Sequence, residues 1–132
     1  MIEDPGLPAT IGLALLVSVP AWAVHACVRA CASGQIPANG LVGLRVRALM
    51  RSEAAWRTGH GAAALWTRRM AIGVSVVLAM SCAAHALPIL YLVLLGIGVL
   101  LLPAGTLVAA AAALRAVDSM TQEGAAGADT SG

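Results

Sequence analysis

Three apolar runs alternate with polar stretches along this chain. Residues 7–28, 70–87 and 89–114 are each apolar for about the 20 positions needed to cross a bilayer core. The first two runs are separated by a long hydrophilic stretch, 29–69, and the last two by a tight turn through His85 and Pro88. This pattern predicts an all-α membrane protein with three transmembrane helices, and a loop and interfacial helix between spans one and two. The expected organisation is an external N-terminus (1–6), the first span (7–28), a cytoplasmic Arg-rich segment (29–69), the second span (70–87), the third (89–114) and a disordered tail (115–132). Pro8 suits the start of a helix, where a missing N–H costs nothing, whereas Pro20 and Pro103 are expected to bend spans one and three. Gly96, Gly98, Gly105 and the alanines from 109 to 113 offer small surfaces for close helix approach.

The hydrophilic stretch has its own pattern. Ser33-Gly34 reads as a helix end, and Ile36-Pro37-Ala38-Asn39-Gly40 as a turn. Ser52 reads as an N-cap, followed by Glu53 where the helix dipole favours an acid. From there Glu53, Arg57, His60 and Arg68 share one sector of a helical wheel, opposite Ala55, Ala62, Leu65 and Trp66. That arrangement predicts a helix lying on the membrane surface, which then bends near Gly59 and Gly61 to enter span two.

Composition agrees with a membrane protein: 60% of the 132 residues are hydrophobic and only 11% charged, and the mean hydropathy is +0.89. A soluble domain carries about a quarter charged residues. Charge adds a direction. All eight basic residues are Arg, and seven of them (Arg29, Arg45, Arg47, Arg51, Arg57, Arg68 and Arg69) fall between positions 29 and 69, against the single acid Glu53. Between membrane spans such a bias marks the cytoplasmic side. The expectation is a multi-pass membrane protein, N-terminus outside and C-terminus in the cytoplasm, with no nucleic-acid partner. Trp66 beside Arg68-Arg69 reads as an interfacial anchor. The acidic N-terminus (Glu3, Asp4) lacks the basic region of a cleaved signal, so the first span is expected to be retained. Cys27, Cys31 and Cys82 form no disulfide pattern and are expected as reduced thiols.

Asn39, Gly43, Arg45, Ser52, Glu53, Trp56 and His60 stand at offsets that resemble the signature of the SdpI family, small bacterial membrane proteins named after an immunity protein against a secreted toxin. The family pattern is an Asn, a Gly four residues on and an Arg two beyond, then a Ser, an acid, a Trp and a His. It departs here after the Arg: Val46-Arg47-Ala48-Leu49 stands where members close to the founder carry Thr-Pro and then a Trp. The resemblance implies a three-span unit in the bacterial inner membrane, and an immunity or signalling role that involves a toxic peptide or a cytoplasmic regulator.

Each motif residue also has a plainer reading from its own chemistry. Asn39 is a turn former, and Gly43 permits a positive φ or close packing. Arg45, Arg47 and Arg51 are inside charges within reach of lipid phosphates, and Trp56 is an interfacial anchor. His60 reads as solvated, or as a proton-exchange site near neutral pH. The fixed spacing predicts a loop that folds back, with Arg45 reaching Trp56 or His60 in a cation–π contact of about 0.5–2 kcal/mol.

Catalysis has little support in these residues. Glu53 has no carboxylate partner within the stretch, and Ser52 and His60 lie eight residues apart, about 12 Å of helical rise. His25, Cys27 and Cys31 scatter round a helix and make a poor metal site. No cofactor is expected. The expected function is therefore non-enzymatic: binding a toxic peptide, anionic lipid headgroups or a cytoplasmic regulator at the inner face, with Arg47, Arg51, Arg57, Arg68 and Arg69 as lipid or partner contacts. Two alternatives stand beside it, a structural or assembly subunit of a larger membrane complex and a small oligomeric transporter.

Overall fold

The computed structural model describes residues 6–129. Within them the chain forms three long α-helices and one 3₁₀ turn, with no strand: α1 (Leu7–Ser33), the 3₁₀ turn (Leu49–Arg51), α2 (Glu53–Ala83) and α3 (Pro88–Asp129). All three helices are long and apolar enough to cross a membrane. The expected external N-terminus lies outside the described residues except for Gly6, as do the last three residues of the tail.

Local chemistry sets the helix ends. Pro8 sits in the first turn of α1. At the other end Gly34 takes a left-handed conformation (φ 81°), its N–H donates to Cys31 C=O (3.2 Å), and Ile36 N–H donates to Ala30 C=O (3.1 Å). These bonds satisfy carbonyls that the helix leaves orphaned. Ser52, in an extended conformation, caps α2 by accepting the Ala55 N–H (3.1 Å). A turn closed by Leu87 N–H to Ala84 C=O (2.9 Å) leads into Pro88, the first residue of α3. Neither Pro20 nor Pro103 interrupts its helix.

α2 is the central helix. Trp56, His60, Ala63, Thr67, Ala71, Val74, Leu78 and Ser81 recur every three or four residues and are all buried. One face of α2 is thereby covered along its length. Both neighbours run antiparallel to it. On the α1 side, Cys82 Sγ meets Thr10 C=O, Trp22 Nε1 donates to Ser75 Oγ (3.1 Å), and His25 Nδ1 lies 3.1 Å from Thr67 Oγ1. On the α3 side, a Cβ on Gly98 would fall 2.8 Å from Leu78, and one on Gly105 would collide with Met70, while Ala109 and Ala113 are fully buried. Without a hydrophobic force between helices in lipid, such close approach is what supplies the packing. Leu16, Val19, Leu65, Val76, Leu100 and Leu107 point away from the bundle and are exposed, as lipid-facing residues must be.

Three expectations from the sequence change here. The stretch between α1 and α2 is 34–52 rather than 29–69, because both flanking helices continue into it. Among the described residues there is no separate interfacial helix: α2 passes through Gly59 and Gly61 without a break. The physical reason is that its first half is packed within the bundle, with Gly59 pressed on Leu49 and Ala63 buried in one cluster with Ala109 and Ala113. The tail also differs, since α3 stays helical to Asp129.

Candidate functional site

The 34–52 segment folds back over the N-terminal turns of α2, and the motif residues hold it there. Asn39 organises the tip: its Oδ1 accepts the N–H groups of Leu41 (2.8 Å) and Val42 (2.9 Å), and its Nδ2 donates to Pro37 C=O (2.7 Å). An Asn side chain standing in for a backbone turn in this way is a common loop device. The Glu53 carboxylate accepts the Ala38 N–H (3.1 Å), tying the loop to the first turn of α2. One turn further on, Trp56 is fully buried and donates from Nε1 to Ile36 C=O (3.0 Å).

His60 completes the clamp. It is fully buried, and its ring lies 4.1 Å from that of Trp56, centroid to centroid. Nε2 accepts the Leu44 N–H (2.9 Å), and Nδ1 faces the Trp56 carbonyl (2.8 Å). An amide can only donate and a carbonyl only accept, so the bonding fixes a neutral imidazole with its proton on Nδ1. Burial pushes the His60 pKa below its ordinary value, opposed in part by the Trp56 carbonyl. His60 lies ten residues, about 15 Å of helix, before Met70 and the apolar run of span two.

Gly43 is the residue the clamp closes on. Its φ is 101°, and a Cβ there would stand 2.7 Å from His60 Nε2, 2.9 Å from Trp56 Cη2 and 3.1 Å from Cys31 Sγ. Both the backbone angle and the lack of space require Gly. Beyond it, the 3₁₀ turn buries Leu49 against Gly59.

The structure thus brings six motif residues, Asn39, Gly43, Ser52, Glu53, Trp56 and His60, into one fastening between loop and helix. Arg45 joins it differently from expectation. Its guanidinium donates to Gly40 C=O rather than stacking on Trp56 or His60, because Gly43 and Cys31 already fill the space beside those rings. His60 and Trp56 are core residues, neither solvated nor interfacial, since the loop covers the face of α2 they occupy. Of the remaining arginines, Arg47, Arg51, Arg57, Arg68 and Arg69 are all exposed, and Arg57 rests against Gly34. Arg69 stacks over Trp66 at 5.1 Å. Leu49, Cys31 and Ile36 carry the rest of the fastening. Only an apolar residue in a polar stretch signals Leu49, and nothing in the sequence pairs it with Gly59.

These features define a three-helix membrane protein with a folded loop between its first two helices. The family model of the SdpI/YfhL protein family matches residues 35–119, which include every motif residue of the clamp, all of α2 and most of α3, and the chain belongs to that family. No curated protein and no solved structure matches it.

Proposed function

We propose that this is a non-enzymatic membrane protein whose clamped loop forms a rigid, arginine-bearing platform for an acidic partner at the cytoplasmic face. The observation that carries this reading is how the motif's polar groups are engaged. Asn39, Ser52, Glu53, Trp56 and His60 each bond the backbone of the loop or of the first turns of α2, leaving no nucleophile–base pair among these five. The groups left facing outward are Arg47, Arg51 and Arg57, with Arg45 exposed at the rim. Antiparallel packing brings the α3 extension to the same end, so that end carries all eight arginines against four acids in sequence. An excess of Arg supports a cytoplasmic location, and a rigid surface loses less entropy on docking than a mobile one. By family resemblance, the partner is a toxic peptide or a membrane-held regulator.

The test is recovery of partners in mild detergent by the intact protein and by an Arg45→Gln, Arg47→Gln, Arg51→Gln triple variant, with Arg115→Gln as control. The reading expects an acidic partner kept by the wild type and the control but lost by the triple variant at equal accumulation. Partners recovered equally by all three proteins would contradict it.

A further inference from the structure

A second basic feature lies away from the loop. Between α1 and α2 runs an open groove of about 690 Å³, lined by Trp22, His25 and Arg29 from one helix and Ala64, Leu65 and Arg68 from the other. It continues past Arg29 and Ala64 into a hollow of about 530 Å³ that reaches Ser33 and Gln35. The antiparallel register that pairs His25 with Thr67 brings the two arginines onto this one groove. No acidic residue lines either part. Among the described residues neither Arg29 nor Arg68 has a hydrogen-bond or carboxylate partner.

Depth along the bundle decides what such a groove would take. Arg29 follows the last apolar residue of the first run, and Arg68 stands two residues before the apolar run of α2. Both therefore sit where the hydrocarbon ends and lipid phosphates begin. The Arg69–Trp66 stack (5.1 Å) beside them marks the same level. The lining is graded as well: apolar Trp22 lies on the side of the spans, Arg68 and Arg29 follow with Leu65 between their levels, and Ser33 and Gln35 lie towards the loop. A guanidinium pair matches a phosphodiester in charge and in hydrogen-bond geometry.

We propose that this α1–α2 groove seats the headgroup of an anionic glycerophospholipid. Its phosphodiester lies between Arg29 and Arg68, its headgroup hydroxyls face Ser33 and Gln35, and an acyl chain follows Trp22 into the bilayer. The site uses arginines other than those of the loop platform and stands whether or not that platform recruits a partner.

The test uses the full chain in mild detergent, with retained lipid counted by native mass spectrometry after exchange into phosphatidylglycerol or phosphatidylcholine. The expected result is one retained phosphatidylglycerol, with phosphatidylcholine lost. Arg29→Gln and Arg68→Gln each weaken retention about five-fold, from the usual worth of one basic residue near an anionic surface. Arg115→Gln, an exposed α3 change of equal charge, leaves it unchanged, and millimolar inorganic phosphate does not displace the lipid. Any of three results overturns the proposal: equal retention of both lipids, equal weakening by Arg115→Gln and the groove variants, or displacement by inorganic phosphate alone.

Discussion

At Gly43 two separate requirements fall on one residue: a φ of 101° and a wall made by His60 Nε2 and Trp56 Cη2. Alanine there meets both, since the angle is strained for any L side chain and the Cβ has nowhere to go. Gly43→Ala is expected to destabilise the fold by about 1–3 kcal/mol, the usual range for forcing an extra carbon into a packed site. The check is a lowered thermal midpoint in detergent, with Gly61→Ala, where no atom lies near the added carbon, as the control. His60 adds a dependence on pH. Its folded pKa is depressed, chiefly by burial, so in the mildly acid range the unfolded chain binds a proton that the folded chain does not. Stability from this residue is therefore complete above about pH 6.5, the unperturbed value, and is lost as pH falls through the folded value. Protonation also turns Nε2 from acceptor to donor and deprives Leu44 N–H of its partner. Loop protease sensitivity is expected to rise on acidification in the wild type. In His60→Ala, where the bond is already missing, it should be high and insensitive to pH.

At the scale of the elements, the three spans were legible because hydropathy and length alone define them. The helix end at Ser33-Gly34 and the Ser52 cap were legible because each has a specific residue at a specific place. The misread element was the first half of α2. On a helical wheel His60 groups with Glu53, Arg57 and Arg68, and polarity suggests that all four face water. Packing separates them: the loop covers Trp56 and His60 and leaves the charged residues outside. A sequence shows that His60 is polar but not that Leu44 N–H arrives to bond it, because that contact spans sixteen residues and depends on how the loop returns. The α3 extension was misread for a related reason, as Gly, Ala and Asp in 121–129 resemble linker composition yet continue a helix. The close approaches between α2 and α3 give this scale its own prediction. Gly105→Val places branched bulk where Met70 already sits, and Gly96→Val, which meets nothing, does not. The first is expected to lower the fraction of folded, monodisperse protein on size-exclusion chromatography, while the second behaves as wild type.

For the whole molecule, the spacing shared with the SdpI family has a physical meaning in this chain. The Asn-to-Gly interval is the length of a turn that Asn39 organises and Gly43 ends. The Ser-to-His interval is two turns of a capped helix, carrying Trp56 and His60 to the loop it must hold. The motif residues thus describe a fastening built from two segments, and the exposed arginines are what the fastening presents. Amide hydrogen exchange on the full chain in lipid nanodiscs tests this claim most directly. Ala38, Leu41, Val42 and Leu44 donate to Glu53, Asn39 and His60 side chains, so their N–H groups should exchange far more slowly than an unstructured loop. In His60→Ala, Leu44 should lose its protection while the amides of the α2 span keep theirs. Unprotected exchange at all four positions in the wild type would contradict the clamp and, with it, the rigid platform proposed to rest on it.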